Sequence, residues 1–143
     1  MAKENVKEQN KQKKRGSSMI NYPIGDFLIR VKNAVLSQNR LVNVDKSKLI
    51  LNVAKLLEKK GYFEEVNEDG GKLVIKLAIR RKEPVILDIK LVSSPGLRIY
   101  KSVRDLEALK GPSTLIISTP KGVMILKDAI RARLGGEVIA EIW

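Results

Sequence analysis

Apolar residues recur at helical spacing in two stretches near the start of the chain. From Pro23 onward, large apolar residues occupy every third or fourth position, which predicts a helix over residues 23–37 with the proline in its first turn. A second helical stripe follows Ser47 and stops at Gly61, a residue type that commonly ends helices. Strand patterns occupy residues 41–44, 62–67 and 72–79, the last two joined by the turn Asp69-Gly70-Gly71. The predicted order of this half is α-β-α-β-β.

The pattern breaks at residues 80–84, where four charged residues precede a proline. Proline cannot donate a ladder hydrogen bond and is excluded from central strands, so we place a subdomain boundary there. Residues 19–83 are then an N-terminal α/β subdomain, and residues 84–143 are a C-terminal subdomain. The predicted fold class is α/β, in the α+β sense, with two small subdomains of which the second is mostly β with short helices.

The C-terminal subdomain is predicted to alternate strands, turns and short helices. Ser102 followed by Asp105 is a capping pattern, which predicts a helix of one or two turns. A longer helix is predicted over residues 127–134, ended by the pair Gly135-Gly136. Strands are predicted at residues 85–92, 97–101, 114–119 and 137–142, with turns at SSPG (93–96) and PKG (120–122).

The first eighteen residues differ from the rest of the chain. They contain six basic and two acidic side chains, and apart from Met1 one valine is their only large apolar group. Such a segment cannot bury enough apolar surface to offset the entropy of ordering, so residues 1–18 are predicted to be a disordered basic N-terminal arm. Met19 follows directly, so the arm is either a true extension or the result of an upstream start.

Composition narrows the function before any motif is considered. The 143 residues include 28 Lys and Arg, 16 Asp and Glu, no His and no Cys, for a net charge of +12. Without Cys and His there are no disulfides, no thiolate or imidazole metal ligands and no imidazole bases. The arm carries +4 and the other 125 residues carry +8, so the folded part is itself basic. A basic body favours a polyanionic partner, most often nucleic acid.

Other function classes are less well supported. A solvated, charge-rich surface is the plain alternative to a nucleic-acid partner, and no apolar segment approaches the roughly 20 residues that span a bilayer. The start of the chain lacks the apolar stretch of a secretory signal, so we expect a cytoplasmic protein and no membrane partner. Catalysis is not expected, because Ser118 has no histidine to activate it. No cofactor, metal or small-molecule substrate is predicted.

Three segments combine hydroxyl, charged and glycine residues. In SSPGLRIYK (93–101), Arg98 and Tyr100 share one side of a strand, which suits phosphate contact and base or sugar packing. In ISTPKGV (117–123), two hydroxyls and a lysine suit sugar hydroxyls and phosphates. In LGGE (134–137), the Glu137 carboxylate can accept hydrogen bonds from base amino groups or 2′-hydroxyls, or pair with a lysine. An ordinary turn and a helix cap are the structural alternatives for the first and third segments.

Together these segments resemble the small-subunit ribosomal protein eight family of the bacterial type. The strongest match is VSSPGLRIYK (92–101), followed by IISTPKGVM (116–124) and LGGEV (134–138), with Trp143 at the C-terminus. The predicted first helix, PIGDFLIRVKNA (23–34), also resembles the first helix of that family. The resemblance covers residues 19–143 and keeps the family's order of motifs.

The resemblance implies a two-domain α/β structural protein of the small ribosomal subunit. It implies primary binding to the central domain of the small-subunit (16S) ribosomal RNA, assembly of the subunit platform, and contact with neighbouring small-subunit proteins. The loop 118–122 and Glu137 are expected against a distorted RNA stem, and the first helix against further RNA. The expected RNA-binding residues are Arg30, Lys32, Asn33, Ser93, Arg98, Tyr100, Lys101, Ser118, Thr119, Lys121, Gly122, Gly136 and Glu137.

The chain departs from the family pattern in places. Pro120 stands where the family usually has a second serine, so any hydrogen bond from that hydroxyl is lost. Ile125-Leu126 replaces a commonly polar stretch, and residues 1–18 have no counterpart in the typical member. Two other functions stay open at this point. One is a regulator that binds messenger RNA mimicking the ribosomal site, and the other is a protein-interaction scaffold whose charge serves solubility.

Overall fold

Helices and strands alternate along residues 21–143, the part of the chain that the computed structural model describes. The predicted arm, residues 1–18, and the possible start at Met19 lie outside the described residues. The helices are α1 (Pro23–Leu36), α2 (Lys48–Lys59), α3 (Val103–Glu107) and α4 (Leu126–Ala132). The strands are β1 (Leu41–Asp45), β2 (Phe63–Asp69), β3 (Lys72–Leu77), β4 (Ile79–Arg80), β5 (Glu83–Pro84), β6 (Ile89–Leu91), β7 (Tyr100–Lys101), β8 (Thr114–Thr119), β9 (Gly122–Ile125) and β10 (Gly136–Ile142). This mixture confirms the predicted α+β class.

The first three helices begin where the sequence pattern places their starts. Pro23 opens α1, where its missing N–H costs no intrahelical hydrogen bond. The Ser47 hydroxyl accepts a hydrogen bond from the Ile50 N–H at 3.2 Å at the start of α2. Ser102 and Asp105 form the predicted reciprocal capping pair of α3, with each side chain accepting from the other's backbone N–H.

Most described strands belong to two antiparallel sheets. The N-terminal sheet has the order β1-β3-β2, and the C-terminal sheet has the order β6-β10-β8-β9, with β7 also paired to β10. The two-residue strands β4 and β5 form a separate hairpin. Strand β10 is the centre of the C-terminal sheet, because it pairs with β6, β7 and β8.

One apolar core joins the first two helices to both sheets. On α1, Phe27, Leu28 and Val31 are at most 1% exposed, and the Phe27 ring meets the edge of Phe63 with 6.3 Å between ring centroids. The same core includes residues of the C-terminal sheet, among them Ile89, Ile116, Ile139, Ala140 and Ile142. The core therefore crosses the predicted boundary at residues 83 and 84, and the division into subdomains stays a prediction.

The C-terminal sheet is covered on both faces. Successive strand residues point to opposite faces, so Ile116 joins the main core whereas Ile117 packs in a smaller cluster with α3 and α4. An ion pair of 2.7 Å between Lys60 and Asp128 links the end of α2 to α4. The hydrogen bond from Lys60 holds the pKa of Asp128 below its usual value. Both faces of β8 and β10 are thus packed, which makes them a rigid support.

The predicted strand 85–92 is wrong in extent, because only Ile89–Leu91 pairs as β6. The Leu87 N–H donates to the Trp143 carbonyl, but its side chain is 68% exposed. The Asp88 carboxylate then accepts from the Ile89 N–H at 2.8 Å. Residues 87 and 88 are therefore joined to Trp143, just beyond the end of β10, without forming a regular strand, and a continuous apolar pattern does not reveal this difference.

The predicted strand 97–101 is also too long, because only Tyr100–Lys101 pairs as β7. Ser94 and Leu97 exchange backbone hydrogen bonds of 2.9 and 3.1 Å, which extends the turn beyond SSPG. Conversely, strand β9 was not predicted, although it forms a hairpin with β8. Its short apolar run is compatible with either a strand or a helix, and only pairing with β8 distinguishes the two.

The predicted helix 127–134 is wrong at its end, because α4 stops at Ala132 and Arg133, rather than the pair Gly135-Gly136, ends it. Arg133 is in the left-handed conformation, with φ 58° and ψ 43°. Glycine adopts this conformation without the clash of a Cβ, so Arg133→Gly is expected to raise the free energy of unfolding by about 0.5–1 kcal/mol. Arg131→Gly, in the last turn of the same helix, is the matched control and should lower it by about 1 kcal/mol. Chemical denaturation measures both variants, and destabilisation by both would contradict the expectation.

Candidate nucleic-acid interface

The three motifs of the second half meet at the beginning of β10. In the strand pairing, Glu137 lies opposite Tyr100 of β7 on one side and opposite Ser118 of β8 on the other. Directly paired residues of antiparallel strands project to the same face of a sheet. Tyr100, Glu137 and Ser118 therefore form one row of side chains, although they come from three separate segments.

Two glycines make this meeting possible. A Cβ at Gly136 would overlap the Ser118 carbonyl oxygen, and a Cβ at Gly135 would overlap the Lys101 carbonyl oxygen. The chain therefore enters the sheet at a distance that only glycine allows. The structural alternative, a simple helix cap at Gly135-Gly136, is wrong, because Arg133 ends α4 and both glycines lie against the backbone of neighbouring strands. The predicted site residue Gly136 shapes the row through its lack of a side chain.

Arg98 and Glu137 form an ion pair beside this row. The Arg98 Nη1 lies 3.2 Å from the Glu137 Oε2, and the two side chains are 43% and 18% exposed. The hydrogen bond to Glu137 raises the pKa of Arg98 above its usual value. The Glu137 carboxylate therefore pairs with Arg98 of the same surface. The partner considered from the sequence was a lysine.

The loop 118–122 is closed by the Thr119 side chain. Its hydroxyl donates to the Gly122 carbonyl at 2.7 Å and accepts from the Lys121 N–H at 3.2 Å. Thr119 is 8% exposed, whereas Lys121 is exposed at the tip of the turn. Gly122 has a φ of +116°, a conformation that side chains rarely adopt. The loop thus exposes Lys121, whereas the buried Thr119 side chain stabilises the turn from inside through its hydrogen bonds.

The surface has the character of a polar binding face. Within residues 21–143, no group of three or more His, Cys, Asp or Glu side chains is arranged to hold a metal ion. None of the helices described is long and apolar enough to cross a membrane. Tyr100 is 69% exposed beside the charged pair, which leaves its ring available for packing against a partner.

Comparison with known proteins places this chain among ribosomal proteins. The family model described as ribosomal protein S8 matches residues 22–143. The chain belongs to the ribosomal protein S8 family. This confirms the resemblance carried by the three motifs and the predicted structural, non-catalytic class.

Three S8-family relatives illustrate the similarity. The small ribosomal subunit protein uS8c of Gracilaria tenuistipitata var. liui is 41% identical over 132 residues, which cover 87% of this chain and 100% of the relative. The uS8 protein of Prochlorococcus marinus strain MIT 9301 is 39% identical over 85% of this chain and 96% of its own. The uS8 protein of Nautilia profundicola is 40% identical over 87% of this chain and 100% of its own.

Among the S8 motif residues, Ser93 lies beneath the surface. It is 1% exposed, and its hydroxyl donates to the Val138 carbonyl at 2.6 Å and accepts from the Ile99 N–H at 2.9 Å. The structure therefore assigns Ser93 a supporting position, in which it ties the Arg98 loop to β10. Lys101 is half-buried opposite Gly136 in the strand pairing.

The predicted residues of the first helix have different neighbours. Arg30 donates to the Asn43 carbonyl at 3.0 Å, and the Lys32 Nζ lies 3.4 Å from the Asp88 carboxylate. Asn33 is exposed. Within residues 21–143, no hydrogen bond or ion pair joins these three residues to the row at Glu137.

The sequence interpretation missed Tyr22, which lies directly before α1. The Arg98 guanidinium carbon lies 5.1 Å from the centre of the Tyr22 ring. No spacing or composition signal pointed to this residue, because its neighbour Arg98 is 76 positions further along the chain. The one sequence feature of Tyr22 that stands out is its place directly before the proline that opens α1.

The close approach at Gly136 predicts a large effect of one methyl group. Gly136→Ala is expected to lower the free energy of unfolding by about 1–3 kcal/mol, because its Cβ overlaps the Ser118 carbonyl. Gly96→Ala is the matched control, since a Cβ there meets nothing within 4 Å. Thermal and chemical denaturation of the two variants tests this, and equal stability would contradict it.

The buried hydroxyl of Ser93 predicts a second effect on stability. Ser93→Ala leaves the Ile99 N–H and the Val138 carbonyl without their partner, which is expected to cost about 1–3 kcal/mol. Ser94→Ala serves as the control, because Ser94 is exposed and its hydroxyl makes no hydrogen bond within residues 21–143. Denaturation measures the difference, and a Ser93→Ala variant as stable as Ser94→Ala would refute the supporting position.

Proposed function

We propose that this chain is a structural component of the small ribosomal subunit and a primary binder of its ribosomal RNA. It binds the central domain of that RNA, helps to assemble the platform of the subunit, and contacts neighbouring small-subunit proteins. The membership in the S8 family and the names of its relatives support this role. The basic charge of the folded part supports a polyanionic partner.

The observation that carries the site assignment is the single row of Tyr100, Glu137 and Ser118. A row with an exposed ring, a carboxylate and a hydroxyl offers stacking, hydrogen-bond acceptance and hydrogen-bond donation within one small area. Irregular RNA exposes unstacked bases, 2′-hydroxyls and base edges, which need these three kinds of contact. An RNA stem with distorted geometry is therefore the partner that this row fits.

Charged residues around the row supply the phosphate contacts. Lys121 is exposed at the tip of the loop, and Arg98 keeps donors beyond the one that it gives to Glu137. Lys101 is half-buried, and because it follows Tyr100 in β7 its side chain projects from the other face of the sheet, so its proposed RNA contact is separate from the row. Arg30, Lys32 and Asn33 supply further RNA contacts on the first helix, separate from the row.

The remaining predicted residues act by shaping the row. Ser93 holds the loop that carries Arg98, and Thr119 with Gly122 closes the turn that carries Lys121. Gly136 allows β10 to approach β8. Their contribution to RNA binding is rigid presentation, because a site whose geometry is fixed beforehand has less entropy to lose on binding.

Removal of a phosphate-binding cation should weaken RNA binding and reduce its dependence on salt. Arg98→Ala and Lys121→Ala are each expected to lower affinity for a central-domain ribosomal RNA fragment and to make the slope of log affinity against log salt shallower by about 1. Thr119→Val should lower affinity with little change in that slope, because it loosens the loop without removing charge.

The matched control for these variants is Lys72→Ala, an exposed lysine at the turn of the N-terminal sheet. Titrations at several salt concentrations give affinity and slope for each variant. If Arg98→Ala, Lys121→Ala and Thr119→Val all bind as tightly as the unaltered chain, the site assignment is wrong. Binding of the unaltered chain no tighter to this fragment than to random RNA would instead support a scaffold that uses charge for solubility.

Glu137 is expected to control selection more than affinity. Glu137→Gln removes a negative charge from an anion-binding surface, so affinity for random RNA should rise. The ratio of affinities for the ribosomal fragment and random RNA should fall at least about fivefold, because the carboxylate no longer accepts hydrogen bonds from the RNA. Glu65→Gln, an exposed residue of β2, is the control. An unchanged ratio in competition titrations would rule out this role.

A further inference from the structure

Tyr22 joins the first helix to the proposed RNA-binding row. It precedes Pro23 at the start of α1, belongs to the main apolar core and is 9% exposed. One face of its ring lies beneath the Arg98 guanidinium, at 5.1 Å from the ring centre. The Arg98 guanidinium therefore contacts both the Tyr22 ring and the Glu137 carboxylate.

The position of the Tyr22 ring is fixed by the helix itself. A Cβ at Gly25 would overlap the Tyr22 Cδ2 and would lie 2.9 Å from its Cε2. The ring therefore rests against the backbone of the first helical turn, in space that any larger residue at position 25 would fill. Such a ring is held by close packing, whereas the arginine above it is an exposed side chain with many rotamers.

The Tyr22 hydroxyl does not explain why a tyrosine stands here. Of the buried side-chain polar atoms in residues 21–143, it is the one without a hydrogen-bond partner. Burial and then the charge of Glu137 raise the pKa of Tyr22, so the hydroxyl stays protonated at neutral pH. An unpartnered buried hydroxyl destabilises the free protein, so the feature of Tyr22 that contributes is its ring.

We propose that Tyr22 is a positioning residue for RNA recognition, whose ring holds the Arg98 guanidinium beside the Glu137 carboxylate. This inference rests on the proposed function of the row at Glu137. An exposed ion pair by itself restrains an arginine weakly, because long side chains lose entropy when they are held. A second contact with a fixed aromatic face restrains the same guanidinium further. The first helix thereby influences RNA binding at a surface formed by the C-terminal sheet.

The test compares two substitutions of Tyr22. Tyr22→Leu removes the aromatic face and keeps apolar bulk, and it is expected to lower affinity for the central-domain RNA fragment about two- to fivefold. Tyr22→Phe keeps the face and removes the hydroxyl. It should bind within about twofold of the unaltered chain and should unfold at equal or higher denaturant concentration.

A structural effect of Tyr22→Leu is separated from positioning by repeating it in the Arg98→Ala background. If the ring acts through Arg98, Tyr22→Leu has no further effect on affinity there. NMR of the free protein gives a second readout, because the ring shifts the resonances of the Arg98 side chain. That shift should persist in Tyr22→Phe and disappear in Tyr22→Leu.

Each contrary result has a distinct meaning. An equal loss of affinity from Tyr22→Leu with and without Arg98 would overturn the inference, because Tyr22 would then act on the fold alone. Equal losses from Tyr22→Phe and Tyr22→Leu would overturn it too, because the hydroxyl would be responsible. If Arg98→Ala lowers affinity and Tyr22→Leu does not, the inference fails and the proposed function stands. If Arg98→Ala itself has no effect, the assignment of Arg98 fails, and the inference fails with it.

Discussion

The proposed interface depends on a backbone approach that leaves no room for side chains at positions 135 and 136. Strand β10 enters between β7 and β8 so closely that a Cβ at Gly135 or Gly136 would overlap a carbonyl oxygen of the neighbouring strand. Because of this approach, segments from three parts of the chain form one row at Glu137. The glycine pair is therefore a requirement of the proposed site.

In the proposed interface, the balance of charge would separate affinity from selection. The folded part is basic, yet the central side chain of the row is the Glu137 carboxylate, which is 18% exposed and paired with Arg98. An anionic partner gains from the surrounding cations whatever its sequence. Contacts to Glu137, Ser118 and Tyr100 require hydrogen-bond donors and the faces of bases in particular positions, and irregular RNA supplies both. The net charge alone indicated only the first of these two contributions.

Rigidity of this row comes from both halves of the chain. The C-terminal sheet is packed on one face by α1 and α2 and on the other by α3 and α4. Internal hydrogen bonds of Ser93 and Thr119 hold the two loops that carry Arg98 and Lys121. Ser93 and Thr119 look available for a partner in the sequence, but their side chains hold neighbouring residues in place instead. In the proposed interface, this rigidity would lower the entropy lost on binding.

The sequence by itself determined the helices, the serine caps of α2 and α3 and most strands, because these depend on residues within a few positions of one another. It also identified the three motifs that form the row. It did not separate surface residues from supporting ones: Ser93 bonds to Val138, 45 positions away. Nor did it predict the contact of Tyr22 with Arg98, or the strand β9. Only the tertiary structure decided these features, because strand pairing and close backbone packing determine which distant side chains meet.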